Sequence, residues 1–139
     1  KYNVPYEYIH FEITESAVMD DKTQLIQRVS KIRELGFDIA MDDFGSGYSS
    51  LNTLKDIPID VLKLDMDFLS GNLKNRKSDN ILTSVIRMAQ SLNLYTIAEG
   101  VETIEQAEFL HDRGCSEMQG YYFYKPMPVK EFEKLSEEI

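Results

Sequence analysis

Glu12, Asp42, Asp43, Lys63, Glu99 and Gln119 are the residues whose types and placement could do chemistry. Each lies at or near the downstream end of a short apolar, β-favouring stretch, with Glu15 and Asp65 close by two of them. Brought to one place, the carboxylates would repel each other and take up protons unless a cation were present. Oxygen ligands of this hard kind select Mg2+, Mn2+ or Ca2+. Two divalent ions bridged by a shared carboxylate suit hydrolysis of a phosphodiester. One lowers the pKa of an attacking water, and together they stabilise charge on the attacking and leaving oxygens.

Each position also has a plainer reading. Asp42-Asp43 before a glycine-rich stretch fits ordinary turn chemistry with an N-cap. Glu12 ends an apolar strand, where a lone Glu usually faces solvent, and Glu99-Gly100 fits a strand-to-loop turn. Gln119 fits a satisfied core amide. Lys63 resists such a reading, because a charged residue between Leu62 and Leu64 rarely points inward without a partner.

The elements that must position these groups alternate. Residues 8–13, 37–42, 61–65, 95–99 and 118–123 read as strands. Leu25, Val29 and Ile32 share one helical face that Gly36 ends. Ile81, Val85, Ile86 and Ala89 form a second, with Ser78 as N-cap and Asn93 near its stop. Thr103 and Gln106 make a capping-box pattern for a third helix that finishes at Gly114. Pro128 suits the first position of a last helix with Phe132 and Leu135 facing inward. A short helix fits residues 50–55. Strand and helix repeated in this way predict a parallel sheet with helical cover. Periodicity separates neither a β/α-barrel nor a doubly wound sheet. No Gly-x-Gly-x-x-Gly or Walker-type turn supports the common nucleotide-binding sheets. In a barrel, all downstream strand ends open onto one rim and gather the candidate residues in a single mouth.

Composition narrows the classes. With 139 residues there is room for one core. A net charge of −9 argues against a broad basic surface for DNA or RNA. Apolar runs are too short for membrane insertion. The single cysteine, Cys115, reads as a small core residue and, with no signal peptide visible, fits a reducing cytoplasm. The chain begins without Met, which leads us to expect that it was cut from something longer.

Five segments then carry a specific resemblance. They are Phe11-Glu12-Ile13-Thr14-Glu15-Ser16, Asp42-Asp43-Phe44-Gly45-Ser46-Gly47-Tyr48-Ser49-Ser50, Lys63-Leu64-Asp65, Ala98-Glu99-Gly100-Val101-Glu102-Thr103 and Gln119-Gly120-Tyr121-Tyr122-Phe123-Tyr124-Lys125-Pro126. In that order they resemble the consecutive motifs of the EAL family, which hydrolyses cyclic di-GMP to linear pGpG. The resemblance runs from about Tyr8 to the end of the chain. It implies a partial eight-stranded TIM-type barrel of about five parallel strands, with residues 1–139 the C-terminal portion of one domain and the N-terminal strands missing.

Carried over by position, the resemblance makes Glu12 a metal ligand, Asp42 a ligand bridging two metals and Asp43 a ligand of the second. Lys63 would contact the attacking water or the phosphate. Glu99 would be a second-metal ligand or the group that orients the water. Gln119 and Asp65 would meet the substrate, and Glu15 would brace the loop from Asp43 to Ser50. The implied cofactors are Mg2+ or Mn2+, two ions in a complete domain, with Ca2+ inhibiting or substituting.

Some of the pattern is absent. The name-giving Glu-x-Leu and a strand supplying a metal-binding Asn belong upstream. Ser46 stands where Thr is common, and Met66-Asp67 replaces a more usual basic-polar pair. Two carboxylates and water hold Mg2+ weakly, so the 139 residues alone are expected to have little or no activity. A catalytically silent cyclic-di-GMP receptor or protein-interaction module is the alternative. An open five-strand sheet also predicts a homodimer or domain-swapped oligomer.

Overall fold

The computed structural model describes residues 4–14, 17, 21–44, 51–65 and 76–138. After a 3-10 turn at Tyr6–Tyr8, strands and helices alternate. They are β1 (His10–Thr14), α1 (Lys22–Glu34), β2 (Asp38–Phe44), α2 (Leu51–Asp56) and β3 (Val61–Asp65). Then follow α3 (Arg76–Ser91), β4 (Tyr95–Glu99), α4 (Ile104–Asp112), β5 (Glu117–Met118) and α5 (Val129–Glu138).

All strand pairings are parallel, and the sheet order is β1-β2-β3-β4-β5. Each strand therefore sits beside its neighbours in sequence. A doubly wound sheet reverses its order at a switch point. A sheet that advances in one direction is the progression of a β/α-barrel. This order resolves what periodicity left open. Five strands leave β1 and β5 as edges among the described residues.

One sheet face is dry. Ile39 and Met41 on β2, Leu62 and Leu64 on β3 and Ala98 on β4 pack in one core with Val29 of α1, Leu82, Ile86 and Ala89 of α3 and Leu110 of α4. Full burial of a side chain of this size stabilises by about 2 kcal/mol. The helix ends follow local chemistry. Asp21 accepts from Gln24 N at the start of α1, and Gly36 (φ +93°) turns the chain after it. The capping box of α4 forms with both of its bonds, between Thr103 and Gln106. No helix among the described residues is long and apolar enough to cross a membrane.

Five expectations are corrected. The fifth strand is only Glu117–Met118, because the chain turns sharply at Gly120, whose carbonyl accepts from Phe123 N and Tyr124 N. Ser78 lies inside α3, which begins at Arg76. On that helix Ile86 and Ala89 are buried and Val85 packs against the core as expected, but Ile81 is exposed and Leu82 takes its place. Phe132 is exposed rather than inward, and α5 starts at Val129, with Pro128 O accepting from Glu131 N and Phe132 N.

Candidate active site

Strand register sorts the side chains before any contact is considered. Glu12 pairs with Ala40, Lys63 with Ile97, and Asp65 with Glu99. Successive residues of a strand point to opposite faces. Glu12, Asp42, Lys63, Asp65 and Glu99 thus fall on the face opposite the Ile39, Met41, Leu62 and Leu64 core. Gln119, one residue past β5 and beyond the Ala98–Met118 pair, continues that face.

Lys63 Nζ is the centre of the arrangement. It donates to Glu12 Oε1 at 2.8 Å and lies 2.9 Å from Asp42 Oδ1 and 3.0 Å from Glu99 Oε1. Three strands thus deliver one carboxylate each to a single ammonium. The lysine is buried, whereas the Glu12 side chain is half exposed. Burial pulls the lysine pKa down and is the largest single influence on it. Contacts with Glu12, Asp42 and Glu99 outweigh that effect and hold the ammonium well above the ordinary lysine range. Glu99 Oε1 is shared, since Gln119 Nε2 also donates to it at 2.5 Å. Gln119 is itself exposed, which removes the core-amide reading.

β2 carries the one irregular strand end. Met41 pairs with Leu62 but Phe44 pairs with Leu64, so β2 holds an extra residue at this point. Asp43 has a left-handed backbone there (φ +55°). Bulges of this kind re-aim side chains at barrel rims. The strand thereby presents two adjacent aspartates at its tip without losing Phe44 from the core. Asp65, on β3, stands level with Glu99 on β4. Glu15 lies outside the described residues, as does the loop over residues 45–50.

The structure therefore brings together Glu12, Asp42, Lys63, Glu99 and Gln119. Asp43 and Asp65 sit at the same rim. Sequence reasoning assigned nothing to the adjoining groove of about 780 Å3, which Glu102, Gln119, Tyr121, Tyr124 and Phe132 help to line. The run Tyr121-Tyr122-Phe123-Tyr124 was legible as aromatic, but its β-propensity masked a turn whose rings stay exposed.

The chemistry of the site bears on whether it can hold an ion. Its donors are all carboxylate oxygens, the chemistry a hard divalent cation takes. Asp42 Oδ1 is buried and pairs with Lys63 Nζ at 2.9 Å. Against this, no group of three or more His, Cys, Asp or Glu converges closely enough to hold an ion among the described residues. The donor type fits, and the ligand set in this chain is partial.

Comparison with known proteins agrees with the geometry. The EAL domain family matches residues 1–126. The signaling protein YkoW of Bacillus subtilis is 41% identical over 96% of this chain and 17% of its own length. Cyclic di-GMP phosphodiesterase NbdA of Pseudomonas aeruginosa is 40% identical over 91% of this chain and 16% of its own. The EAL domain of Mycobacterium smegmatis DcpA superposes with a TM-score of 0.88 at 36% identity, covering 97% of this chain and 60% of that one. The chain thus spans about a sixth of these two curated relatives. Its five parallel strands make part of the same TIM-type barrel, and the chain belongs to the EAL domain family.

Proposed function

We propose that this chain supplies the C-terminal reactive groups of a domain that hydrolyses cyclic di-GMP to linear pGpG, lowering a second messenger in bacterial signalling. The observation that carries this reading is the convergence of Glu12, Asp42 and Glu99 on Lys63 at one rim. The relationship to a cyclic di-GMP phosphodiesterase at 40% identity supports the substrate class.

In this reading Asp42, Glu12, Asp43 and Glu99 hold Mg2+ or Mn2+, with further ligands from outside the chain completing the coordination. When bound, the ions would acidify a water and stabilise charge on the phosphodiester oxygens. The residues of this chain do the positioning. Lys63 remains a positive charge held in place by burial and three carboxylates, suited to an anionic phosphate in the transition state. Glu99 is oriented by Lys63 and Gln119 through the same oxygen, which leaves its second oxygen for a water or an ion. In the same reading Asp65 and Gln119, at the rim, contact the dinucleotide.

The complete domain with Mn2+ should convert cyclic di-GMP to pGpG, read by chromatography. Glu12→Ala and Lys63→Ala should each abolish this. Unchanged turnover in both variants overturns the roles, and tight binding without product favours a receptor. The 139 residues alone should show little or no turnover. Their two sheet edges, β1 and β5, should drive self-association into a dimer or swapped oligomer, which a clean monomer by light scattering would contradict.

A further inference from the structure

Gln119 reaches Glu99 from a segment with almost no strand pairing to hold it, since β5 has only two residues. Its backbone is instead gripped on both sides of Glu99. Gln119 N donates to Ala98 O at 2.8 Å, and Gln119 O accepts from Val101 N at 3.0 Å. Gly100 (φ +71°) makes the bend between these two contacts. On the other side of the same residue, Val101 O accepts from Tyr122 N at 2.9 Å.

This grip requires Gly120 to press against a buried backbone. A Cβ at Gly120 would lie 2.1 Å from Val101 O and 2.3 Å from Val101 N. Neither atom belongs to a flexible side chain, and Val101 is fully buried. Any side chain would push the two segments about 1 Å apart, since real Cβ contacts stay beyond 3.0 Å. The bond between Val101 N and Gln119 O would be the first to open.

We propose that Gly120 is a positioning residue, whose lack of a side chain lets the tip of β5 dock on Val101 and so sets the Gln119 amide on Glu99. The role in catalysis rests on the function proposed above, whereas the docking itself does not. A displacement of about 1 Å in such a group is enough to cost about 100-fold in rate.

The test uses the full chain labelled with 15N. In the wild type, the Val101 and Tyr122 amides should exchange far more slowly than those of exposed turns, and the Gln119 side-chain amide should resonate away from free glutamine. Gly120→Ala should move the Gln119 signals to the free position. Gly114→Ala is the control, because its left-handed backbone (φ +74°) strains any side chain, away from the rim. It should lower the melting temperature and leave Gln119 unmoved. The proposal is overturned if Gly120→Ala leaves Gln119 unchanged or if Gly114→Ala moves it equally. Fast exchange at Val101 and Tyr122 in the wild type also overturns it, and that measurement stands if the alanine variant does not fold. Absence of cyclic di-GMP turnover in the complete domain would remove the function and leave the docking intact.

Discussion

Lys63 Nζ lies 2.9 Å from the buried Asp42 Oδ1, nearly the 2.8 Å at which it meets Glu12 Oε1. The ammonium thus gathers carboxylates from three strands at one rim.

Lys63→Met keeps the length of the side chain and removes its charge. Three carboxylates then share a rim with no cation between them. Stability should fall by about 2–3 kcal/mol, less than for a fully buried pair because Glu12 is half exposed. Urea unfolding measures this. A loss within about 0.5 kcal/mol, the usual scale for a plain surface change, would show that the cluster contributes nothing to the fold.

The same variant should bind Mn2+ more tightly than the wild type. An ammonium about 3 Å from the carboxylates repels an incoming divalent ion, and its removal should raise affinity by about tenfold at low salt. Paramagnetic broadening of nearby resonances reports the binding. Equal affinities would mean that lysine and metal do not compete.

Cys115 gives a pH signature. Burial, the largest influence, holds its thiol above the usual range, only partly offset by contacts with Thr96, Glu117 and neighbouring backbone. A raised folded pKa contributes stability that is whole below the unfolded value, near 9.0, and that is lost as pH rises toward the folded value. The stability difference between wild type and Cys115→Ala should therefore shrink above about pH 9. Alkylation by iodoacetamide at pH 8 should also be slow until the protein is unfolded. A pH-independent difference with rapid labelling would contradict both.

Asp60 joins three elements at the opposite end of the sheet. It takes two bonds from Arg33, at 3.0 and 2.7 Å, and one from Ile39 N at 3.0 Å. Asp60→Ala leaves the Ile39 amide without its partner and should cost about 2 kcal/mol in thermal or urea unfolding. Asp60→Asn keeps an acceptor for that amide and should cost about half as much. Equal losses would place the whole effect in the charge.

The strands were legible where alternation and β-branched residues agreed, as at Val61–Asp65 and Tyr95–Glu99, whose limits match the expected ones. The cluster was legible because polar residues recur at strand ends and parallel strands align those ends. What the sequence could not reveal depends on partners distant in the chain. Gly120 meets Val101, and that contact stops β5 where aromatic propensity would have continued it. Leu82 is buried in place of Ile81 because α3 turns that side to the sheet, and both residues are equally apolar. The bulge at Asp43 depends on the spacing of β3 beside it, which no local signal encodes.

The order of the strands sets how the site comes apart. Among the described residues, each of β1 and β5 is bonded along one side only, while β2, β3 and β4 are bonded along both. Partial openings of a protein begin where pairing is thinnest. Transient fraying at the flanks removes Glu12 or Gln119 first and leaves Lys63 beside Asp42 on the inner strands. Mild heating or low denaturant should therefore silence the reactive cluster while most of the hydrophobic interior still resists exchange.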